Sequence, residues 1–300
     1  MLMKNKFLIL FIAAIISLSF VSCGDNLDYG DEPISNNIPF NKEDSIAMVK
    51  VFKAMGYDKW SSQSSMSLKK PMTWGICDWS YEPQKGEYVA YMLKIDVACF
   101  PLSPETEFIT IPEDISNLKN LNYVELIGND KIRFKIPSSI FQCPIEHFDV
   151  DYASFEDDMI PTTISNNKEI LSYLRIDNSN LKEAQIDILS KFKSLRYLSL
   201  RRNLLIGEVP RILGQLETIV TIDLRDNYYT SLDWKLFTDF PLTFDDEVVP
   251  NLNGNCLEGE IPEDVFHTAK WFMECGSLIE MKEGYGFSNF RLISEQDIHD

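Results

Sequence analysis

The sequence has little of what most enzymes and nucleic-acid-binding proteins require. Its 300 residues include only three histidines, His147, His267 and His299, and no HExxH, CxxC, GxSxG or phosphate-loop motif. Because these motifs supply metal ligands, nucleophiles and phosphate-binding loops, we predict neither catalysis nor a cofactor. Basic residues are also few, with 28 lysines and arginines against 46 acidic residues. Binding to a phosphate backbone needs a basic surface, so nucleic acid is excluded as an expected partner.

Long hydrophobic runs are absent except near the amino terminus. Two lysines precede a mostly apolar run of 14 residues, 7–20, which is shorter than the roughly 20 residues needed to span a bilayer. This pattern predicts an export signal over residues 1–22. The run ends in SFVSC (residues 19–23), which is similar to a bacterial lipobox and implies lipidation of Cys23. Ordinary signal cleavage beside a chance cysteine is the alternative.

Residues 23–40 are polar, acidic and rich in turn-forming residues, which predicts a flexible tether. The acidic stretch after the cysteine resembles the surface-export signal of lipoproteins from Gram-negative gut-type anaerobes. The resemblance implies a protein of the outer membrane that faces the cell exterior. The net charge of −18 repels an anionic lipid surface, so we expect membrane attachment through the lipid alone.

The rest of the chain is dominated by a repeated phrase, LxxLxLxxN. Its third apolar position recurs every 24 to 28 residues, at Leu126, Val150, Ile176, Leu200, Leu224 and Leu252. A period this regular indicates a repeat architecture. The LxL alternation predicts one strand per unit, buried on one side by stacking of neighbouring units. The predicted strands are 93–97, 124–127, 148–151, 174–177, 198–201, 222–225 and 250–253.

Two further features recur in these units. Asparagine closes the strand at Asn129, Asn203, Asn227 and Asn255, where its amide can satisfy turn backbone groups. Ala153 and Ser179 replace it in the second and third units, where we expect local irregularity. An apolar residue plus proline then predicts a short 3₁₀ or α segment, because proline suits the first position of a helical turn. The pairs are Ile111-Pro112, Ile136-Pro137, Ile160-Pro161, Val209-Pro210 and Ile261-Pro262.

These phrases, above all LLIGEVP (204–210) and LEGEIP (257–262), resemble the leucine-rich repeats best known from plant receptor ectodomains. The resemblance covers residues 89–271. It implies an α/β solenoid with parallel strands on its concave face and short 3₁₀ or α segments on its convex face. It also implies caps at both ends: residues 41–88, with an amphipathic helix near 44–55, and residues 272–300.

Four of the five remaining cysteines lie in or near the caps, and the amino-terminal cap contains two notable tryptophans. Cap disulfides Cys77–Cys99 and Cys256–Cys275 are plausible in an exported chain, and buried free thiols are the alternative. Trp74 and Trp79 are expected to pack inside the amino-terminal cap rather than stack on sugars, since tryptophan is mostly buried.

The concave face carries the candidate binding residues. Side chains alternate across a strand, so positions three, five, seven and eight of the repeat point outward. They are predicted to include Tyr123, His147, Tyr173, Arg175, Tyr197, Arg201, Arg202 and Arg225. Aromatic residues and arginine often anchor protein interfaces, whereas rings that only stack on one another are the alternative.

We therefore expect a protein partner, because arginine favours carboxylates. A glycan stacked on the tyrosines is the second hypothesis. Acidic residues at 149–158 and 245–247 could hold Ca²⁺ through their oxygens. They lack the DxDxDG loop, so a solvated acidic surface is the expected role of both clusters.

Overall fold

The computed structural model describes residues 38–57, 75–182, 186–233, 236, 251–261 and 290–292. Except for Ile38, these residues belong to one compact unit, Pro39–Asp300. Within the described ranges, no helix combines the length and apolarity that crossing a membrane requires. Several predictions lie outside these ranges: the signal peptide, the tether to residue 37, Trp74, residues 245–247, Cys275 and most of the carboxy-terminal cap.

Fourteen short strands occur in the described residues. They are β1 (Cys77–Glu82), β2 (Glu87–Asp96), β3 (Phe108–Thr110), β4 (Tyr123–Ile127), β5 (Arg133–Lys135), β6 (His147–Asp151), β7 (Ala153–Ser154), β8 (Tyr173–Asp177), β9 (Tyr197–Ser199), β10 (Ile206–Val209), β11 (Thr221–Asp223), β12 (Tyr228–Leu232), β13 (Gly259–Ile261) and β14 (Phe290–Leu292).

The principal sheet has the order β1-β2-β4-β6-β8-β9-β11. β1 is antiparallel to β2, and each later strand pairs in parallel with the strand of the preceding repeat. A bridge from Asp223 to Asn251 continues the series. The predicted solenoid with parallel strands is confirmed, although β9 and β11 end two residues earlier than predicted.

The inward side chains of this sheet form the core. One register runs unbroken from β2 to β11. It aligns Leu93, Val124, Phe148, Leu174, Leu198 and Ile222, all of them buried. Burying one such side chain contributes roughly 1.5–3 kcal/mol, which a single unit cannot obtain without neighbours.

A second series of strands follows the principal sheet, and the sequence interpretation missed it. β3, β5 and β7 form a parallel three-stranded sheet, and β10 pairs in parallel with β12. Their core residues include Ile109 and Phe134, both fully buried. Strands of two to five residues show too few alternations to give a periodic signal.

Four of the five segments after the apolar-proline pairs are 3₁₀ turns, as predicted, and the segment after Ile261-Pro262 lies outside the described residues. They are Glu113–Asn117, Ser138–Gln142, Thr162–Asn167 and Arg211–Gln215. The proline precedes the first helical residue and has an extended backbone, so its predicted place inside the turn was wrong by one residue. In the third unit, which lacks the pair, a short α-helix takes this place, α2 (Ile186–Leu189).

The asparagines form a ladder only in the later units. Asn203 accepts from the N–H groups of Ser179 and Leu181, both at 3.0 Å, and donates to Ile176 O at 2.7 Å and Leu200 O at 3.0 Å. Asn227 and Asn255 donate to the equivalent pairs of carbonyl groups, and each accepts from one backbone N–H group. The side chain of Asn129 instead accepts from two N–H groups of its own turn.

Other side chains replace the ladder where asparagine is missing. Ser179 Oγ accepts from Ala153 N at 3.0 Å. Arg133, from the preceding unit, donates to Ala153 O at 3.0 Å and to Asn178 O at 2.8 Å. The principal sheet keeps its register here, so the irregularity expected in these units is confined to the adjoining turns. There Asp157, Asp158 and Asn180 have positive φ.

The amino-terminal cap is built on helix α1 (Lys42–Ala54), close to its predicted position. Asn41 caps the helix by accepting from Asp44 N, and the buried Asp44 accepts from Ala90 N at 2.8 Å. Trp79 is 9% exposed and packs edge-on against Phe40, with ring centroids 5.0 Å apart. Trp79 is therefore cap core, as expected, and not a sugar platform.

Both predicted disulfide pairings were wrong, since Cys77 and Cys256 are free thiols. Cys77 lies opposite Leu93 in the sheet. Cys99 follows Leu93 by six residues, which places its Cα about 15 Å along the chain from that of Leu93 at the rises of a strand and a 3₁₀ turn. A disulfide needs Cα atoms within about 7 Å of each other. Cys99 is disulfide-bonded, but not to Cys77. Burial raises the pKa of the Cys77 thiol well above its ordinary value.

Candidate binding surface of the concave sheet

The strand register places five of the eight predicted binding residues on one face, whereas Arg201, Arg202 and Arg225 follow the ends of β9 and β11. Tyr123, His147, Tyr173 and Tyr197 are successive partners on β4, β6, β8 and β9. Arg175 is paired with Asp149 on one side and Ser199 on the other. The outward columns derived from the repeat are therefore the columns of the folded protein.

The four rings form one continuous stack. Ring centroids are 4.1 Å apart between Tyr123 and His147, 4.1 Å between His147 and Tyr173, and 4.3 Å between Tyr173 and Tyr197. The ring planes lie within 12° of parallel. Each inner ring face is covered by a neighbour, so the stacking considered as an alternative is present. A row of sugar platforms would need open faces, and only the two ends of the stack can supply them.

His147 behaves as a neutral ring within this stack. Its Nε2 is buried and has no hydrogen-bond partner among the described residues. Burial lowers the pKa of His147 to about 4, although the charge of Glu125 opposes the shift. The imidazole is therefore uncharged near pH 7 and contributes a flat surface between two tyrosines.

Arg175, one of the predicted partner-binding residues, is bound by three of the protein's own carboxylates. Nη1 donates to Asp149 at 2.8 Å, Nη2 to Asp151 at 2.9 Å, and Nε to Asp177 at 2.7 Å. Burial opposes the charge of Arg175, but these three aspartates outweigh it and raise its pKa. For Asp149, burial prevails over Arg175 and raises the pKa of the carboxyl to about 6.

The same contacts bear on the acidic cluster at residues 149–158, which was expected to be solvated surface rather than a calcium site. Among the described residues, no group of three or more histidines, cysteines or acidic residues is arranged to hold a metal ion. Asp149 and Asp151 bind Arg175, and Asp158 pairs with Lys182. Glu156 and Asp157 are exposed. The carboxylates of this cluster therefore do not converge on a common centre.

The other three arginines remain open to solvent. Arg201 and Arg202 both direct Nε to Asp226, at 3.0 and 3.3 Å, and their side chains are 31% and 53% exposed. Arg225 binds Asp223 through Nε and Nη2 and is 37% exposed. In the part of the chain that the structure describes, the Nη groups of Arg201 and Arg202 have no partner. These donors can receive a carboxylate from another molecule.

The backbone at the eighth repeat position is a feature that sequence reasoning missed. Tyr152, Asn178, Arg202 and Asp226 all have φ between 49° and 57°, and Gly254 has φ of 75°. Glycine and asparagine in this column were the available signal, because they adopt left-handed conformations most readily. The turn also places Asp226, a residue not singled out, between Arg201 and Arg202.

Comparison with known proteins identifies the architecture. No protein-family model matches the sequence, and no curated protein is similar to it. A crystal structure of PEPR1-AtPEP1 has a TM-score of 0.52 and 16% identity over 75% of this chain and 30% of that one. A plant ice-binding protein has a TM-score of 0.47, 17% identity and 74% coverage of both chains. The LRR ectodomain of the receptor kinase SOBIR1 from Arabidopsis thaliana has a TM-score of 0.40 and 16% identity, over 74% and 98% of the two chains.

The chain spans less than a third of the PEPR1-AtPEP1 chain and 26% of a TDR receptor. Together with the repeat register, the likeness to PEPR1-AtPEP1 establishes a leucine-rich-repeat fold. At this level of identity the comparison describes the fold alone.

Proposed function

We propose that this leucine-rich-repeat chain binds a protein partner through the carboxy-terminal half of its concave sheet, as a lipoprotein displayed on the cell surface. The observation that carries the proposal is the set of partly exposed guanidinium groups of Arg201, Arg202 and Arg225, of which the Nη groups of Arg201 and Arg202 have no partner among the described residues. They lie beside a rigid ring stack in a chain whose net charge is −18. Unpaired guanidinium donors of this kind favour a partner with exposed carboxylates.

The structure also supports binding without reorganisation. The ring stack and the Arg175 network hold their side chains in fixed positions before any partner arrives. A preorganised surface loses less conformational entropy when it binds.

The surface location rests on the sequence of the amino terminus. An export signal, a lipobox-like SFVSC and an acidic tether precede the folded unit. The lipid would hold the solenoid at the outer membrane, while the tether gives the concave face access to other proteins. We assign no reaction to this chain, because the groups that form its concave surface bind one another rather than converge on a reacting centre.

Capture from surface proteins tests the proposal. Immobilised wild-type protein should retain a specific partner from the outer-membrane fraction of the source cells. The Arg201→Ala/Arg202→Ala variant should lose it, and association with the wild type should slow as salt is added. Lys168→Ala/Lys191→Ala is the matched control, since it removes two exposed charges away from the sheet. Equal capture by both double variants would place the binding site elsewhere.

A further inference from the structure

The ring stack ends at Tyr197, beside the open position above Thr221, which we call the step. Tyr173 and Tyr197 are parallel within 2°, so one face of Tyr197 is covered by Tyr173 and the opposite face is directed toward β11. There its register partner is Thr221, which is exposed and carries no ring. Among the described residues, no ring contacts this second face of Tyr197.

We propose that an aromatic side chain of the protein partner stacks on Tyr197 above Thr221, as the fifth ring of the column. The inference rests on the proposed function and names the group that the partner contributes. The stack has a repeat of 4.1–4.3 Å, close to the roughly 4.8 Å spacing of neighbouring strands. A ring held above Thr221 therefore continues the same geometry, and parallel-offset stacking of rings is favourable.

Charge beside the step defines the partner further. Asp223 lies two residues from Thr221 on the same side of β11, about 7 Å along the strand, and binds Nε of Arg225 at 2.9 Å. Arg201 follows the end of β9, the strand next to β11, and its Nη groups have no partner among the described residues. A carboxylate one or two residues from the partner's aromatic residue would reach these guanidinium groups. The expected recognition element is an aromatic residue next to aspartate or glutamate in an extended segment.

A neutral sugar is the other ligand that stacks on tyrosine. It would use the open ring face but would leave the Nη donors of Arg201 without an external carboxylate. The clustering of Arg201 and Arg225 around the step therefore favours an acidic peptide segment over a glycan.

Filling the step from within the protein tests the inference. In Thr221→Phe, the new side chain would stack on Tyr197 and exclude an external ring, whereas Thr221→Ser keeps the step open. The probe is a displayed library of random dodecapeptides selected on the wild-type protein. Selected peptides should be enriched in phenylalanine, tyrosine or tryptophan beside an acidic residue. They should bind Thr221→Phe about tenfold more weakly and Thr221→Ser with nearly unchanged affinity.

A second measurement does not depend on the variant. In the NMR spectrum of the wild-type protein, a selected peptide should shift the γ-methyl signal of Thr221 upfield through the ring current of its aromatic residue. An absent shift, a selection without aromatic enrichment, or full binding by Thr221→Phe each overturns the inference, as would specific binding of neutral glycans at the step. If peptides bind Thr221→Phe but not Arg201→Ala/Arg202→Ala, this inference fails while the proposed function stands.

Discussion

Nη1 of Arg175 donates to Oδ1 of Asp149 across neighbouring strands, at a distance of 2.8 Å. Asp149 belongs to the preceding repeat, 26 residues earlier. The contact is therefore made by the stacking of units and not by local chain geometry. With Asp151 and Asp177, it places three carboxylates around one guanidinium group, which is 24% exposed.

Removing this guanidinium should destabilise the solenoid. Arg175→Met leaves three neighbouring carboxylates without their shared cation, and we expect the free energy of unfolding to fall by about 3 kcal/mol. Urea denaturation followed by circular dichroism measures the change. Arg202→Met is the control, because Arg202 is more than half exposed, and such exposed pairs contribute at most about 1 kcal/mol. Equal losses in the two variants would refute the structural role of Arg175.

The pH dependence of stability should contain two opposing contributions. The pKa of His147 is about 4 in the folded protein and 6.5 ordinarily. The contribution of its neutral form to the free energy of unfolding is therefore complete above pH 6.5 and is lost as pH falls toward 4. The pKa of Asp149 is raised from 3.8 to about 6, so its contribution is complete below pH 3.8 and lost as pH rises through 6. The two contributions oppose each other between pH 4 and 6.5.

Replacing His147 separates its contribution from that of Asp149. His147→Phe keeps a flat ring in the stack but removes the titration. Between pH 7 and 4, the wild type should lose on the order of 3 kcal/mol more unfolding free energy than this variant. Urea titrations at several pH values measure it. A difference independent of pH would show that His147 titrates normally.

The asparagine ladder predicts unequal effects of one substitution at two equivalent repeat positions. Asn203→Ala leaves four buried backbone groups without partners, so we expect a loss of at least about 3 kcal/mol or failure to fold. Asn129→Ala removes contacts only within its own, partly exposed turn, and should cost about 1 kcal/mol. Thermal and urea unfolding of both variants would decide the comparison. Similar losses would mean that the ladder is not special to the later units.

Cys23 is expected to carry the lipid that anchors the chain. Cys23→Ala should move the protein from the detergent phase of a Triton X-114 partition into the aqueous phase, because the lipid supplies the membrane affinity. Ser22→Ala is a suitable control, since it keeps a small residue before the cysteine. Unchanged partitioning of Cys23→Ala would argue for another form of membrane attachment.

The sequence was sufficient to predict the solenoid and its outward columns, because a period-two alternation inside a 24-residue repeat determines both. It could not reveal that Arg175 is neutralised internally, since its partners Asp149 and Asp151 belong to another repeat and depend on register. Tyr173 and Tyr197 were placed on the correct face, but the covering of their ring faces follows from strand spacing. The partner-binding role of the rings and of Arg175, Arg201, Arg202 and Arg225 stays a prediction.

Arg133 imposes a limit on how this protein can be shortened. Its guanidinium group satisfies carbonyl groups 20 and 45 residues further along the chain, in the next two units. Excising its repeat as a cassette would leave the carbonyls of Ala153 and Asn178 without that donor, even though the flanking strands could still be joined in register. The units are consequently not interchangeable modules. A designer who swaps or deletes repeats must keep Arg133, Ala153 and Ser179 together.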